Sequence, residues 1–235
     1  MNKKIHLYED KIGYVQLVDY MGTDLTIVNS ARVSFGKNKS EIDERDKKLI
    51  NYLVKHKHTS TFEHNVATFS ICVPLFVRSQ HMRHRTWSYN EISRRYTEVD
   101  IEFYEPKNFR TQHSSNRQAS NAEELVNPLI RPQGVTGGTS ASWLVRDHNK
   151  KSLKLYNELI DVGVCREQAR GVLPQNMYTK YYGTVDLNNL IKFINLRLHS
   201  GAQWEIQQLA KGMLKIASSL WPIATQAYME NTKGK

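Results

Sequence analysis

The sequence predicts an α+β fold in a single domain, residues 1–235, and three observations carry that reading. Segments with helical and with strand periodicity both occur, but without the regular βαβ alternation of a doubly wound sheet. The 235 residues suffice to bury one core without disulfides or metals. No internal repeat is found, and 12 Gly and 6 Pro exclude collagen-like and low-complexity classes.

Residues 11–36 read as a short strand and a turn leading into Ala31–Phe35. Residues 41–56 read as a helix, because Ile42, Leu49, Ile50, Leu53 and Val54 recur at near-helical spacing. Residues 65–73 read as a strand, with Ala67, Phe69, Ile71 and Val73 alternating with Thr68, Ser70 and Cys72. Pro74 ends it and opens a helix over 75–85, where its missing N–H costs nothing. Residues 99–105 resemble a short strand. Residues 107–142 are rich in Ser, Asn, Gln, Gly and Pro and read as a flexible insertion, a mobile loop or lid. Their glycine cluster, Gly134–Ser140, lacks the following Lys of a phosphate-binding P-loop. Further helices are expected at 143–163 and, stopped by Pro174, at 166–173. A strand rich in Tyr, Thr and Val follows at 178–185. Two last helices, 187–200 and 202–219, break near Gly201, and Asp186 is a natural N-cap for the first.

The formal net charge is +10, which favours anionic partners such as nucleic acid or phosphorylated metabolites. Cys72 and Cys165 make no disulfide framework and fit a reducing compartment, so a cytoplasmic location is expected. The longest apolar run, near Ile71–Val77, is too short to span a bilayer, and no apolar signal-peptide region follows the N-terminus. No membrane association is therefore expected.

The densest chemistry lies at residues 78–96, where five arginines, two histidines, an Asn and a single Glu fall within nineteen residues. Few of these side chains look like core. Arginine suits bidentate binding of phosphate or carboxylate. Asn and Glu can read the edge of a base, and Trp87 and Tyr89 can stack on a planar ring. Together they suggest a phosphorylated ligand carrying an aromatic heterocycle. A basic patch for single-stranded RNA has similar composition. It has no use for an isolated Glu among arginines, which places a nucleotide-binding enzyme modestly ahead. Five of nine histidines, His56, His58, His64, His81 and His84, crowd into 56–84, but their spacing fits no zinc pattern, and no metal is expected.

Residues 83–96, Arg-His-Arg-Thr-Trp-Ser-Tyr-Asn-Glu-Ile-Ser-Arg-Arg-Tyr, resemble the signature R-H-R-x-x-S-x-N-E-x-S-x-R-Y of flavin-dependent thymidylate synthases at every specified position. The resemblance extends to Ala31–Phe35, His58–His64, Arg166–Pro174, Asn195–Arg197 and Ala202–Ile206, and covers nearly the whole chain except about 107–145. It implies an α+β core with helical segments. It implies conversion of dUMP to dTMP, with the one-carbon unit from 5,10-methylenetetrahydrofolate and the hydride from FAD reduced by NADPH, so that tetrahydrofolate leaves. It further implies a homotetramer with active sites between subunits, and no specific nucleic-acid partner.

The resemblance also implies residue roles. Arg83, His84 and Arg85 would lie along FAD, and Gln80 and Arg83 would also approach dUMP. Glu91, Ile92, Ser93, Arg94 and Arg95 match the dUMP-binding run, with Glu91 near FAD as well, Arg94 at a variable position, and a turn opened by Asn90 aiming backbone N–H groups at the phosphate. Ser93 is a phosphate or hydroxyl contact, since no adjacent base would make it a nucleophile. Ser60 and Glu63 match flavin contacts, and His58 and Tyr96 would lie near folate or NADPH. Arg170 matches a second dUMP-phosphate ligand. Asp186, Leu187, Asn188 and Lys192 align with further FAD contacts, although Asn188 stands where Arg is frequent and Lys192 where Asn is common. Arg197 is the catalytic candidate: a cation beside the uracil ring makes C5 more nucleophilic without a covalent enzyme bond. On the helix at 187–200, Leu187, Leu190, Ile191, Ile194 and Leu198 form one apolar stripe, while Phe193 and Leu196 fall outside it. A helix apolar on more than one side is buried on several faces, which points to a subunit interface.

Overall fold

A computed structural model describes residues 4–98, 100–131 and 137–232. The elements begin with β1 (Ile5–His6), β2 (Tyr14–Met21), α1 (Asp24–Arg32), α2 (Glu44–Lys55), β3 (Val66–Pro74), α3 (Leu75–His81) and β4 (Ser88–Glu91). Four short strands follow, β5 (Phe109–Gln112), β6 (Ser120–Val126), β7 (Leu129–Ile130) and β8 (Thr139–Ser140). The chain then runs through α4 (Ala141–Asp161), α5 (Arg166–Ala169), β9 (Tyr178–Asp186), α6 (Leu187–Leu198), α7 (Trp204–Leu220) and α8 (Pro222–Thr232). This is the α+β arrangement the sequence predicts.

One antiparallel sheet, in the order β1-β2-β3-β9-β4, holds the molecule together. Its backbone is the long pairing of β3 with β9, in register from Val66↔Asp186 to Pro74↔Tyr178. The alternation read in β3 is the burial pattern as far as Ser70; Ala67, Phe69, Ile71 and Val73 are fully buried, but Cys72, read on the opposite face, is buried as well. They join Leu187, Leu190 and Ile194 of α6 and Leu209, Met213 and Ala217 of α7 in the main core. Gly212 lets α7 approach the sheet, because a Cβ there would lie 2.7 Å from Val15 Cγ1. A smaller cluster, Tyr156, Ala169, Leu173 and Met177, seats α4. Among the described residues no helix is long and apolar enough to cross a membrane.

Local signals account for several boundaries. Asp43 caps α2 by accepting from the amides of Arg45 and Asp46, and Asp186 caps α6 by accepting from the Asn189 amide. Other elements depart from the sequence reading. Helix α1 replaces the expected turn. Its buried Asp24 accepts from the amides of Ile223 and Ala224 and so caps α8, which the sequence reading did not place. Helix α3 stops at His81 rather than 85, and the Tyr89 hydroxyl donates to the carbonyls of His81 and His84 beyond its end. Of the strand expected at 99–105, residue 99 lies outside the described residues, and 100–105 form an isolated bridge, Phe103 to Met177, in place of a strand.

The expected insertion at 107–142 contains two antiparallel pairs, β5 with β6 and β7 with β8. Polar side chains hold the first: Arg110 Nε donates to Ser120 Oγ, and Thr111 Oγ1 donates to Glu124. A pattern of polar pairs carries no hydrophobic period, which is why composition alone reads as loop. Residues 132–136 of the glycine-containing stretch lie outside the described residues.

Candidate active site

The end of α3, the turn after it and the last turn of α6 meet at Arg197. Its Nε donates to His84 Nε2 at 3.1 Å, and its Nη2 donates to the Gln80 carbonyl at 3.2 Å. Two residues assigned by the motif or its flanks, 113 and 117 positions from Arg197, are thus gathered by one guanidinium fork. Burial disfavours the charged form of Arg197, so its pKa is lowered, but a guanidinium stays protonated. The same Arg197 and, foremost, burial push His84 down from 6.5 to about 4. His84 is therefore neutral, and because Nε2 accepts from Arg197, its proton sits on Nδ1.

An aromatic cage supports this junction. Phe193 of α6 is fully buried, its ring 4.9 Å from that of His84, 4.7 Å from His81 and 5.7 Å from Trp87. His81 is completely buried and bonds Tyr181 through Nδ1 at 2.8 Å. Burial drives its pKa well down, so it too is neutral. Two readings change here. Trp87 is core, not a platform for a ligand ring, and it packs on Phe69, His81 and Phe193. Phe193, which lay outside the apolar stripe of its helix, is covered within the chain rather than by a neighbouring subunit. Leu196 remains exposed.

Glu91 has a partner that its isolation among arginines concealed. Arg78 Nε donates to Glu91 Oε2 at 2.9 Å, the Arg78 Nη2 reaches the same oxygen, and Thr179 Oγ1 donates to Oε1 at 2.7 Å. Asn90 opens no turn: it lies in β4, paired with Tyr182. The turn comes later, at Arg94–Tyr96, after the Ile92 amide has bonded the Lys180 carbonyl. There Ser93 Oγ accepts from the Arg95 amide at 3.2 Å. Arg94 is buried and donates to the Asp100 carbonyl. Arg95 is exposed and lies over the Tyr96 ring, 5.2 Å from its centroid, with Nη2 donating to the Tyr96 hydroxyl.

The remaining candidates fall into a second group at the start of α6. Asn188 is buried and donates to Glu63 Oε1 at 2.9 Å, so two assigned flavin contacts touch each other. Asp186 is engaged as the helix cap, and Leu187 is core with its amide bonded to the Asn65 carbonyl. Lys192 is exposed, 3.4 Å from Asn189 Oδ1. Ser60 and His58 are exposed, and His58 lies 6.0 Å from the Tyr52 ring. Arg83, Arg85 and Arg170 are exposed and make no ion pair among the described residues. No hydrogen bond among the described residues links Arg170 to the Arg197 junction. Among the described residues no three His, Cys, Asp or Glu side chains gather as metal ligands would.

The comparisons with known proteins bear on this arrangement. The family described as "Thymidylate synthase complementing protein" matches residues 16–223. The chain belongs to this family. A flavin-dependent thymidylate synthase of Thermus thermophilus is 43% identical over 219 residues, covering 93% of this chain and 76% of its own. One from Thermosipho melanesiensis is 42% identical, covering 93% and 91%. A UMP/dUMP methylase from Streptomyces cacaoi, solved with 5-Br dUMP, superposes with a TM-score of 0.75 at 31% identity, over 92% of this chain and 94% of that one. The sequence places Arg78, Tyr89, His81 and Phe193 near the motif or on α6, but their part in holding the site in shape is visible only in their contacts.

Proposed function

We propose that this chain is a flavin-dependent thymidylate synthase that methylates dUMP to dTMP, with 5,10-methylenetetrahydrofolate as carbon donor, FAD as cofactor and NADPH as reductant, releasing tetrahydrofolate. The observation that carries the reading is the Arg197 fork on His84 and Gln80, with the exposed cations Arg83 and Arg85 in the same turn. The groups present fit FAD. Arg83 and Arg85 are exposed donors without acidic partners among the described residues, His84 keeps an Nδ1–H to offer, and the Glu63–Asn188 bond pre-orients an amide. Bound there, FAD would supply the hydride that turns a transferred methylene into a methyl group.

The protein's own part is binding and polarisation. Arg95 and Arg170 would neutralise the nucleotide phosphate, and the Ile92–Arg94 backbone would line its path. Glu91, held by Arg78 and Thr179, presents a carboxylate at fixed orientation. Arg197, partly desolvated, would sit against the uracil ring and favour its electron-rich form, so that C5 attacks the methylene carbon and then loses its proton. No cysteine nucleophile is needed. Burial pushes the Cys72 thiol up to about 12, and Cys165 faces solvent beside Gln168.

The reading includes a cytoplasmic homotetramer with shared sites, which the exposed Leu196 next to Arg197 supports. Sedimentation tests the assembly, and mixing Arg95→Ala chains with Arg197→Lys chains tests the sharing, since mixed assemblies should regain activity. Tritium release from C5-labelled dUMP, with and without NADPH and methylenetetrahydrofolate, tests the reaction. A colourless protein that releases no tritium would refute it.

A further inference from the structure

The β5–β6 hairpin reaches the active site through an unbroken chain of polar contacts. Arg110 of β5 donates from Nη2 to both oxygens of Glu205, at 2.7 and 2.9 Å. The Glu205 side chain is only 4% exposed, so the carboxylate of this pair is nearly dry. Tyr104 also donates to Glu205, at 3.2 Å, and the Arg110 guanidinium lies 5.3 Å from the centre of the Trp204 ring. Gln203 Nε2 donates to Glu205 Oε2 at 2.9 Å, and Gln203 Oε1 accepts from Gln80 Nε2 at 2.5 Å.

The direction of this chain is determined at its buried end. An ionised carboxylate only accepts, so Glu205 obliges Gln203 to turn its NH2 toward it. The Gln203 oxygen must then face Gln80, and an oxygen facing Gln80 calls for the Gln80 NH2. The Gln80 amide is thereby fixed in one of its two flip states. Its Oε1 accepts no hydrogen bond among the described residues.

We propose that Arg110 and Glu205 are positioning residues which, through Gln203, lock the Gln80 side chain as a hydrogen-bond acceptor toward the bound nucleotide. The group it recognises is a donor, either the imide N–H of uracil or a sugar hydroxyl. The insertion is in this sense part of the binding site although it need not touch the substrate. The inference rests on the proposed role of Gln80 in dUMP binding.

The test uses flavin-loaded enzyme and equilibrium titration with dUMP. Arg110→Ala would strand a buried carboxylate and endanger folding, so Gln203→Met carries the test, leaving the Arg110–Glu205 pair intact. Gln203→Met should weaken dUMP roughly three- to tenfold, the worth of one neutral hydrogen bond, with the flavin spectrum and FAD affinity unchanged. The Gln80→Ala/Gln203→Met double variant should bind no more weakly than Gln80→Ala alone, because both remove the same contact. An N3-methylated dUMP and a 3′-deoxy analogue identify the donor, since the affinity lost on removing it should vanish in Gln80→Ala. Normal binding by Gln80→Ala would overturn the role of Gln80 and the relay with it. Weak binding by Gln80→Ala together with normal binding by Gln203→Met, or additive losses, would overturn the relay alone. Full affinity for both analogues would overturn the acceptor role.

Discussion

Replacing Arg197 by Lys tests the catalytic assignment most directly. Arg197 holds two acceptors at once, His84 Nε2 at 3.1 Å and the Gln80 carbonyl at 3.2 Å. A lysine keeps the charge, but its ammonium lacks the planar fork and cannot hold both acceptors while facing a ligand. At least one charge-assisted bond is lost, about 1.5–3 kcal/mol, which corresponds to about 10- to 10²-fold. Loss of one preorganised donor in an active site costs about 10²–10³ in kcat. The two ranges meet near 10²-fold, the expected drop in turnover. FAD should remain bound, because Arg83, Arg85 and the Glu63–Asn188 pair are untouched. The assay is dTMP formation under saturating substrates, with the flavin absorbance as a check on loading. Turnover within a few fold of the parent, with flavin retained, would refute the reasoning.

Arg95→Ala should weaken dUMP by about 1.5–3 kcal/mol and FAD far less, since Arg95 is exposed and its side chain bonds Tyr96 alone among the described residues; equal losses in titrations of both ligands would assign it to the flavin or the fold. Phe193→Ala removes the fully buried ring between His81, His84 and Trp87 and should cost about 3–5 kcal/mol in denaturant unfolding; a loss below 1 kcal/mol, set against the ordinary core cost, would mean the cage is not packed as described. Stability should also depend on pH through His84. Its folded pKa, about 4, lies below the ordinary 6.5, so its contribution is complete above 6.5 and is lost as the pH falls toward 4. A His84→Gln variant with the same pH slope in that window would contradict the assignment, provided the slope from His81 is matched in both.

The sequence by itself determined those features that depend on short-range order. Strand β3 follows from its alternation, α2 and α6 from their apolar spacing, α6 also from the cap Asp186, and the reaction class from a motif contiguous over Arg83–Tyr96. The motif could not say what each of its residues touches. Trp87 was legible as an aromatic in a polar stretch, and only the packing of Phe69, His81 and Phe193 around it makes it core. Glu91 looked isolated because Arg78 and Thr179 reach it from another helix and another strand. Helix α1, α8 and the β5–β6 hairpin had weak local signals. The bonds that tie them in, Asp24 to the amides of Ile223 and Ala224 and Arg110 to Glu205, span 95 to 200 residues. Periodicity and capping act within a few residues and leave a trace in the local pattern. A buried polar group takes its partner from whichever segment the folded chain brings alongside, and that choice is made by the tertiary structure.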